Sequence, residues 1–253
     1  MDKRGEKRMG INKKILITAP VHQNENIFKE YLNSLSHLII PNNYIIKKFF
    51  YLHNCSNLKI LLQPDEYEII ENNIGFNINK RHEWEEKNFN IVSIMRTKAL
   101  EKARRENYDY IFSIDSDVLI HPKTLQLLLE DNKDIVSTAY WYKIDQGIAE
   151  NFFDYENWKK SKPTLEYCKK GIYEVGITGA ATLINKRIIE NEKIDYYPID
   201  CIDFSIWEDY AFCLKAHILI PDVQIAIDTR LPARHLYTEK DYKRWMMEKK
   251  QYE

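Results

Sequence analysis

The chain has 253 residues, a length at the upper end of the range for one domain built around one core. Hydrophobic residues make up 44% and charged residues 30%, a composition typical of globular proteins that excludes extended disorder. Lys and Arg number 37 against 38 Asp and Glu, for a net charge of −1. No overall basic field therefore indicates nucleic acid or an anionic membrane as a partner.

Predicted strands and helices alternate along the first 140 residues. Short apolar runs predict strands, and apolar residues spaced three and four apart predict helices. The predicted strands are 14–20, 48–53, 67–70, 108–114 and 134–140. The predicted helices are 26–38, 89–106 and 123–130, the last with Pro122 at its first position. This alternation predicts a single α/β domain whose mostly parallel central sheet carries helices on both faces.

The second part of the chain is less regular. Residues 141–171 mix aromatic with charged side chains, which favours a loop or lid that contacts an acceptor, or else a partly ordered structural excursion. Strand character returns over 172–184, and a helix at 207–217 and a last strand at 223–227 follow. We expect a flexible basic segment at 1–13, one domain at 14–237 and a charged helical tail at 238–253.

Four cysteines are far apart and form no CxxC pair: Cys55, Cys168, Cys201 and Cys213. This spacing disfavours a zinc site or a disulfide framework and favours free thiols in a reducing compartment. No apolar stretch follows the basic N-terminus as in a signal peptide, and no apolar run approaches the ~20 residues that cross a bilayer. We therefore expect a cytoplasmic protein without a transmembrane segment.

Asp115 and Asp117 come directly after the fourth predicted strand, with Ser116 between them. This order places both carboxylates at the carboxyl edge of the sheet, where open α/β folds bind ligands. Strand alternation predicts that both side chains point to the same side. Two carboxylates together suit Mg²⁺ or Mn²⁺ bridging a diphosphate. The alternative is a polar turn between a strand and a helix, for which Asp-Ser-Asp is also suited.

Two further features are weak signals when taken alone. Glu208 and Asp209 open a predicted helix, where acids cap the helix and favour its dipole, or where one of them acts as a general base. His235 lies in a predicted loop after the last strand. A histidine there is solvent-exposed, bonds locally, or closes a metal site.

The order of these features resembles that of GT-A fold glycosyltransferases, especially the inverting family-two type. A strand ends in DxD, a Gly-containing strand at Gly179 precedes a WEDY helix start, and a histidine follows late in the chain. The similarity begins at Ile17–Glu25 and covers about residues 14–237. It implies a GT-A (Rossmann-like) domain that moves a sugar from a nucleotide-sugar donor to an acceptor hydroxyl with inversion.

The resemblance also implies the partners of the reaction. The donor would be UDP-linked by the habit of the family, and the acceptor a saccharide, a protein or another molecule with a hydroxyl. The chain lacks the QxxRW motif of processive synthases and any membrane helix, which favours a single addition by a hexosyltransferase-like enzyme.

Residues with implied roles in donor binding come from several segments. Ala19, Pro20 and Glu25 would line the uracil and ribose pocket, and Glu71 or Asn72 would help to hold the base. Asp115, with Ser116 beside it, would face the ribose, and Arg96 would approach the nucleotide or the diphosphate.

The resemblance further implies the metal ligands and the catalytic acids. Asp117 would coordinate the metal, with Asp115 and His235 as further ligands, and imidazole makes Mn²⁺ a more natural ion there than Mg²⁺. Asp209 would be the catalytic base, with Glu208 beside it near the acceptor.

Two alternative functions remain open on the sequence alone. A nucleotidyltransferase uses a similar sheet and similar carboxylate–metal chemistry, but the segment Thr18–His22 has no glycine-rich GxGxR-type loop. A non-catalytic nucleotide-sugar-binding protein would keep Asp117 but would need no base at Asp209. A nucleic-acid acceptor is disfavoured by the near-neutral charge.

Overall fold

The structure, a computed structural model, describes residues 12–70, 86–144, 147–150, 152–153, 169–199 and 208–249. The strands in these ranges are β1 (Lys13–Val21), β2 (Tyr44–His53), β3 (Tyr67–Ile70), β4 (Tyr110–Ile114), β5 (Val118–Leu119), β6 (Ile135–Ile144), β7 (Gly147–Glu150), β8 (Phe152–Phe153), β9 (Ile172–Glu174), β10 (Ile177–Thr178), β11 (Ala181–Asn185) and β12 (Ile225–His235). The α-helices are α1 (Glu25–Ser36), α2 (Glu86–Arg105), α3 (Thr124–Asp131), α4 (Lys186–Ile189), α5 (Glu208–Leu219) and α6 (Glu239–Lys249). A 3₁₀ helix covers Ser56–Leu61.

The main sheet has the strand order β3-β2-β1-β4-β11-β6-β12-β5. The neighbours from β3 to β4 are parallel, and so are β6 and β12. β11 lies antiparallel between β4 and β6, so β4, β6 and β12 all point in the same direction. This mixed but mostly parallel sheet confirms the predicted fold class.

Helices cover both faces of the sheet, as predicted. Successive side chains of a strand point to opposite faces. Ile15 and Ile17 of β1 accordingly belong to a core with residues of α1 and α3, whereas Leu16 packs with residues of α2, α4 and α5. α1 begins where the Asn24 side chain accepts a hydrogen bond from the backbone N–H of Ile27, a capping contact that satisfies a helix-end donor.

The strand order reverses at β1. The chain adds β2 and β3 on one side of β1 and then places β4 on its other side. In open α/β sheets, the crevice outside the carboxyl ends of the strands at such a reversal is where ligands bind. The topology therefore points to the end of β4, which is where the DxD sequence lies.

Most predicted elements are present with ends shifted by a few residues, but the position of Pro122 is wrong. α3 begins at Thr124, with Lys123 as its N-cap. The backbone N–H of Thr124 donates to the carbonyl of His121 at 2.9 Å. Pro122 is thus the second residue of a turn before the helix, where its fixed φ is favourable.

The prediction of an irregular segment at 141–171 is wrong where the structure describes it. β6 continues to Ile144 and forms an antiparallel hairpin with β7, and β8 pairs with β10. Charged residues within the strands interrupt the apolar run by which a buried strand is recognised. Residues 154–168 and the N-terminal 1–11 lie outside the described residues, and the acceptor-contacting role of the insert stays a prediction.

β12 contains an irregular bulge next to β6. Asp228 pairs with Thr138 and Ala233 with Tyr140, so three extra residues lie on β12 between these pairs. Bulges of this kind re-aim the residues that follow them. After the bulge, the last residues of β12 leave β6 and pair with β5.

A buried ion cluster holds this bulge. Arg230 donates from Nε and from an Nη to the two carboxylate oxygens of Asp228, each at 2.9 Å, and also contacts Asp131. The side chains of Asp131 and Asp228 are only 1% and 3% exposed. Burial, and the charge of Asp228, raise the pKa of Asp131 to about 6.

The predicted helical tail is confirmed as α6, which packs on α1. The indole N–H of Trp245 donates to Glu30 at 2.9 Å, and the ammonium of Lys249 contacts the same carboxylate at 3.2 Å. The guanidinium of Arg234, at the end of β12, lies 5.0 Å from the Trp245 ring centroid. α6 thus contacts both α1 and the end of β12.

Two of the four cysteines lie in the described part of the chain. Cys55 and Cys213 are buried free thiols, as predicted, while Cys168 and Cys201 lie outside it. None of its helices combines the length and the apolar character needed to cross a membrane.

We expect Arg230→Met to lower the free energy of unfolding by about 3 kcal/mol at pH 8, because two buried carboxylates lose their cation. The loss should be smaller at pH 5, where Asp131 takes up a proton and no longer needs that cation. Urea unfolding followed by circular dichroism at both pH values measures the difference.

The matched control is Arg105→Met, which removes a guanidinium that is 68% exposed and 3.7 Å from Glu106. This change should alter stability by less than about 0.5 kcal/mol. Equal losses in the two variants would contradict the importance of the buried cluster.

Candidate active site

Side chains from four elements meet at the carboxyl end of β4. β4 ends at Ile114, and the chain turns at once, with the N–H of Val118 donating to the carbonyl of Asp115 at 2.9 Å. The N–H of Asp115 donates to the carbonyl of Ala180 at 2.7 Å. The turn is therefore attached to the segment that precedes β11.

Asp115 and Asp117 contact different partners. The carboxylate of Asp115 lies 2.6 Å from a guanidinium nitrogen of Arg96 on α2. That of Asp117 lies 3.3 Å from Nε2 of His235. Alternation holds only within an extended strand, and these residues form a turn.

His235 is not in a loop, as the sequence suggested, but is the last residue of β12. It pairs with Val118 of β5, and the next N–H, that of Leu236, donates to the carbonyl of Asp117 at 2.8 Å. Burial alone would lower the pKa of His235, but the carboxylate of Asp117 outweighs it and raises the pKa. Pairing with β5 thus brings the late histidine beside the DxD turn.

Arg96 contacts both acidic motifs. Its guanidinium donates to Ser113 at 3.0 Å and lies near two acids of α5, 3.5 Å from Glu208 and 3.9 Å from Asp209. The side chain is 3% exposed. Burial opposes its charge, but Asp115, Asp209 and Glu208 together raise the pKa of Arg96.

Glu208 and Asp209 differ in their access to solvent. The side chain of Glu208 is 6% exposed and that of Asp209 is 24% exposed. Successive helical residues diverge by about 100°, so the two side chains leave the helix in different directions. Of these two acids, Asp209 is the more open to an incoming molecule.

The acids of this site hold their protons more tightly than ordinary carboxylic acids. Burial and the charge of Asp209 raise the pKa of Glu208 to about 8. Burial also raises the pKa of Asp209, against the opposing effect of Arg96. Burial raises the pKa of Asp115 to about 6, although Arg96 lowers it. Carboxyl groups tuned in this way are typical of acid–base sites.

Gly179 leaves room for the carboxylate of Asp209. A Cβ atom at position 179 would lie 2.0 Å from Oδ2 and 2.5 Å from Cγ of Asp209, distances at which one of the groups must move. The glycine in the sequence pattern before the WEDY helix start therefore has a steric reason.

The residues predicted to line the base pocket do not all reach the surface. Ala19 is fully buried in the core, whereas Pro20 is partly exposed. Glu25 is exposed and pairs with Lys29 at 2.6 Å. Ser116 is buried in the DxD turn. Glu71 and Asn72 lie outside the described residues.

Two tyrosines support the site and were not identified from the sequence. The hydroxyl of Tyr31 donates to the carbonyl of Ile114 at 3.2 Å. The ring of Tyr196 lies 5.6 Å from the Arg96 guanidinium and stacks on Phe212 of α5 at 4.2 Å. A tyrosine on the apolar face of a helix signals a buried hydroxyl partner, which could have identified Tyr31; no comparable pattern marks Tyr196.

The three predicted metal ligands are only partly brought together. In the described ranges, no group of three or more His, Cys, Asp or Glu side chains is placed to hold a metal ion. Asp117 and His235 are adjacent, whereas Asp115 is engaged by Arg96. Ions such as Mg²⁺ take one or two protein ligands and complete their shell with phosphate oxygens and water. The Asp117–His235 pair therefore fits an ion that arrives with a diphosphate.

Comparison with known proteins identifies the class. Residues 50–227 match the sequence model described as glycosyltransferase family 25, N-terminal domain. Human procollagen galactosyltransferase 2 is 31% identical over 142 residues, 53% of this chain and 21% of that protein. Procollagen galactosyltransferase 1-B of Xenopus laevis is 25% identical over 204 residues, 73% of this chain and 33% of that protein. The chain spans a third or less of the length of these relatives.

Solved structures support the same fold. S. aureus TarS 1-349 aligns with a TM-score of 0.50 and 15% identity over 85% of this chain and 60% of that chain. A197 from STIV aligns with a TM-score of 0.50 and 16% identity over 89% and 87%.

The chain thus has a GT-A-like α/β fold and the sequence of a glycosyltransferase family, the class implied by the resemblance. Since the family match covers more than half of its residues, the chain belongs to glycosyltransferase family 25. The family-two features, inversion among them, stay predictions.

We expect Gly179→Ala to lower the sugar-transfer rate by about 10²-fold, because the new methyl group displaces the Asp209 carboxylate and small misplacements cost that much. Steady-state transfer assays measure the loss. Gly171→Ala is the matched control, since its Cβ would meet the Tyr173 ring at an ordinary 3.4 Å. A wild-type rate for Gly179→Ala would show that the position of Asp209 does not matter for transfer.

Proposed function

We propose that this protein transfers a hexose from a UDP-linked donor to an acceptor hydroxyl in one metal-dependent displacement that inverts the anomeric carbon. The observation that carries the proposal is the convergence of Asp115, Asp117, Asp209 and His235 at one sheet edge. These residues come from three distant parts of the chain and meet at the strand-order reversal, where a nucleotide is expected.

The charge of the site supports a divalent cation, Mn²⁺ or Mg²⁺. Carboxyl groups of four acids, Asp115, Asp117, Glu208 and Asp209, face one guanidinium and one imidazole. Asp117 and His235 would hold the ion. When bound, such an ion supplies Lewis-acid stabilisation of the charge that develops on the leaving diphosphate.

The geometry favours Asp209 as the catalytic base. Of the two acids, Asp209 has the more exposed side chain, 24% against 6% for Glu208, so it is the one that an acceptor hydroxyl reaches. The Asp209 carboxylate takes the proton of the acceptor hydroxyl while the acceptor oxygen attacks C1. The bond from C1 to the diphosphate oxygen breaks, and its electron pair leaves with UDP.

The names of the relatives suggest the first substrates to test. Several are called procollagen galactosyltransferases, so we propose UDP-galactose as the first donor and a protein hydroxyl as the first acceptor, with saccharide acceptors next. The segment from Trp141 to Lys170, which begins within β6, is the proposed contact for the acceptor.

The metal site predicts a dependence of donor binding on two residues. Asp117→Ala should abolish the Mn²⁺-dependent part of UDP binding, and His235→Ala should weaken it, because each removes one side of the pair. Titration calorimetry with UDP, with Mn²⁺ or with EDTA, measures both. Asp65→Ala, at an exposed acid 3.6 Å from Lys47, is the control and should bind as the wild type does. An affinity for UDP that is unchanged by EDTA and by both substitutions would overturn the metal site.

The assignment of the base predicts different effects at two neighbouring residues. Asp209→Asn should keep the fold and the affinity for UDP but lower kcat by about 10²–10⁴-fold, the usual loss on removing a general base. Glu208→Gln should mainly raise the KM for the acceptor. Kinetics with both substrates, and NMR of the product anomer, test the assignment. Near wild-type turnover of Asp209→Asn, or a product with the anomeric configuration of the donor, would contradict it.

A further inference from the structure

We infer that Arg96 is a positioning residue, which holds the DxD acid and the two acids of α5 in one arrangement without contacting the donor. This inference rests on the proposed function, because it assigns Arg96 a role in that reaction. It differs from the role implied by the resemblance, in which Arg96 approaches the nucleotide or the diphosphate.

The two terminal nitrogens of the guanidinium are turned towards protein partners, and its Nε is buried without a hydrogen bond. One terminal nitrogen contacts Asp115 at 2.6 Å, the other donates to Ser113 at 3.0 Å, and Nε lies 3.5 Å from Glu208. The ring of Tyr196 lies 5.6 Å from the guanidinium carbon. With 3% of its side chain exposed, Arg96 could reach a diphosphate only by giving up these contacts.

These contacts matter because they place the positive charge of Arg96 beside buried acids. A buried carboxylate without a cation is strongly destabilised, and the only guanidinium in contact with Asp115, Glu208 and Asp209 among the described side chains is that of Arg96. Its planar guanidinium can donate hydrogen bonds to several carboxylates at once, which a lysine ammonium does less well. Arg96 therefore stabilises these three acids in close proximity.

The hydroxyl of the residue next to Arg96 links the same elements. Thr97, the next residue of α2, accepts a hydrogen bond from the N–H of Tyr196 at 3.1 Å. The ring of Tyr196 stacks on Phe212, one turn after Glu208 in α5. A change at position 96 is thus transmitted to α5, and so to Asp209, the proposed base.

The test compares Arg96→Lys and Arg96→Met with the wild type. For Arg96→Lys we expect kcat to fall by about 10²-fold through misplacement of Asp209, with the dissociation constant for UDP and Mn²⁺ unchanged within twofold. Lys98→Met is the control on the same helix, since Lys98 is half-exposed and pairs with Glu68 at 2.7 Å. It should retain wild-type kinetics.

Arg96→Met leaves buried acids without their cation and is expected to fold poorly. The double variant Arg96→Met, Glu208→Gln also removes one of those acids, so its melting temperature should recover towards that of Glu208→Gln. Its kcat should stay well below that of Glu208→Gln, because Asp209 and Asp115 still lack their common partner. Recovery of stability without recovery of kcat is a result that a purely structural role would not produce.

Two results would overturn the inference. A tenfold or greater loss of UDP affinity in Arg96→Lys, with kcat retained, would show that Arg96 contacts the donor. A kcat of the double variant equal to that of Glu208→Gln would show that Arg96 does not position the base.

The failure of the proposed function would look different, since the wild type itself would then bind no UDP. In that case a double-mutant cycle of Arg96→Lys with Asp209→Asn, measured by urea unfolding, decides the inference. Additive losses of stability would overturn the coupling between Arg96 and Asp209, and non-additive losses would support it.

Discussion

The contacts of Arg96 are the interaction on which the geometry of the site depends. Four acidic side chains at the edge of a buried sheet repel one another, and burial favours their neutral forms. One guanidinium from α2 lies against three of them and against Ser113 of β4. Helix α5 can approach β4 with its first two residues acidic because this cation lies between them.

A second constraint comes from the end of β12. The bulge after Asp228 directs the strand away from β6 and towards β5. His235 then lies beside Asp117, and the backbone of Leu236 bonds to the same residue. The cluster of Arg230, Asp131 and Asp228 stabilises the bulge from the interior. The pairing of Asp115 with Arg96 and the position of His235 beside Asp117 thus determine which partners the two carboxylates meet.

The fold was largely predictable from the sequence, and the site only in part. Buried parallel strands are nearly continuous apolar runs, so β1 and β4 were placed within a few residues. β5 has only two residues, and its pairing with His235 depends on a bulge that no local pattern marks. The residue types at 115, 117, 208, 209 and 235 indicated the chemistry. The different partners of Asp115 and Asp117 depend on a turn and on distant segments, which periodicity does not reveal.

The antiparallel strand β11 also has a consequence for how the chain folds. β4 has β1 on one side and β11 on the other, and the DxD turn bonds to Ala180, just before β11. During synthesis, β4 emerges long before β11, and until then it presents an unpaired apolar edge of the kind that other chains can join. Pairings between such distant segments form slowly. The edge that carries the candidate active site therefore stays open until β11 has been synthesised, and a nascent chain can associate with others through it until then.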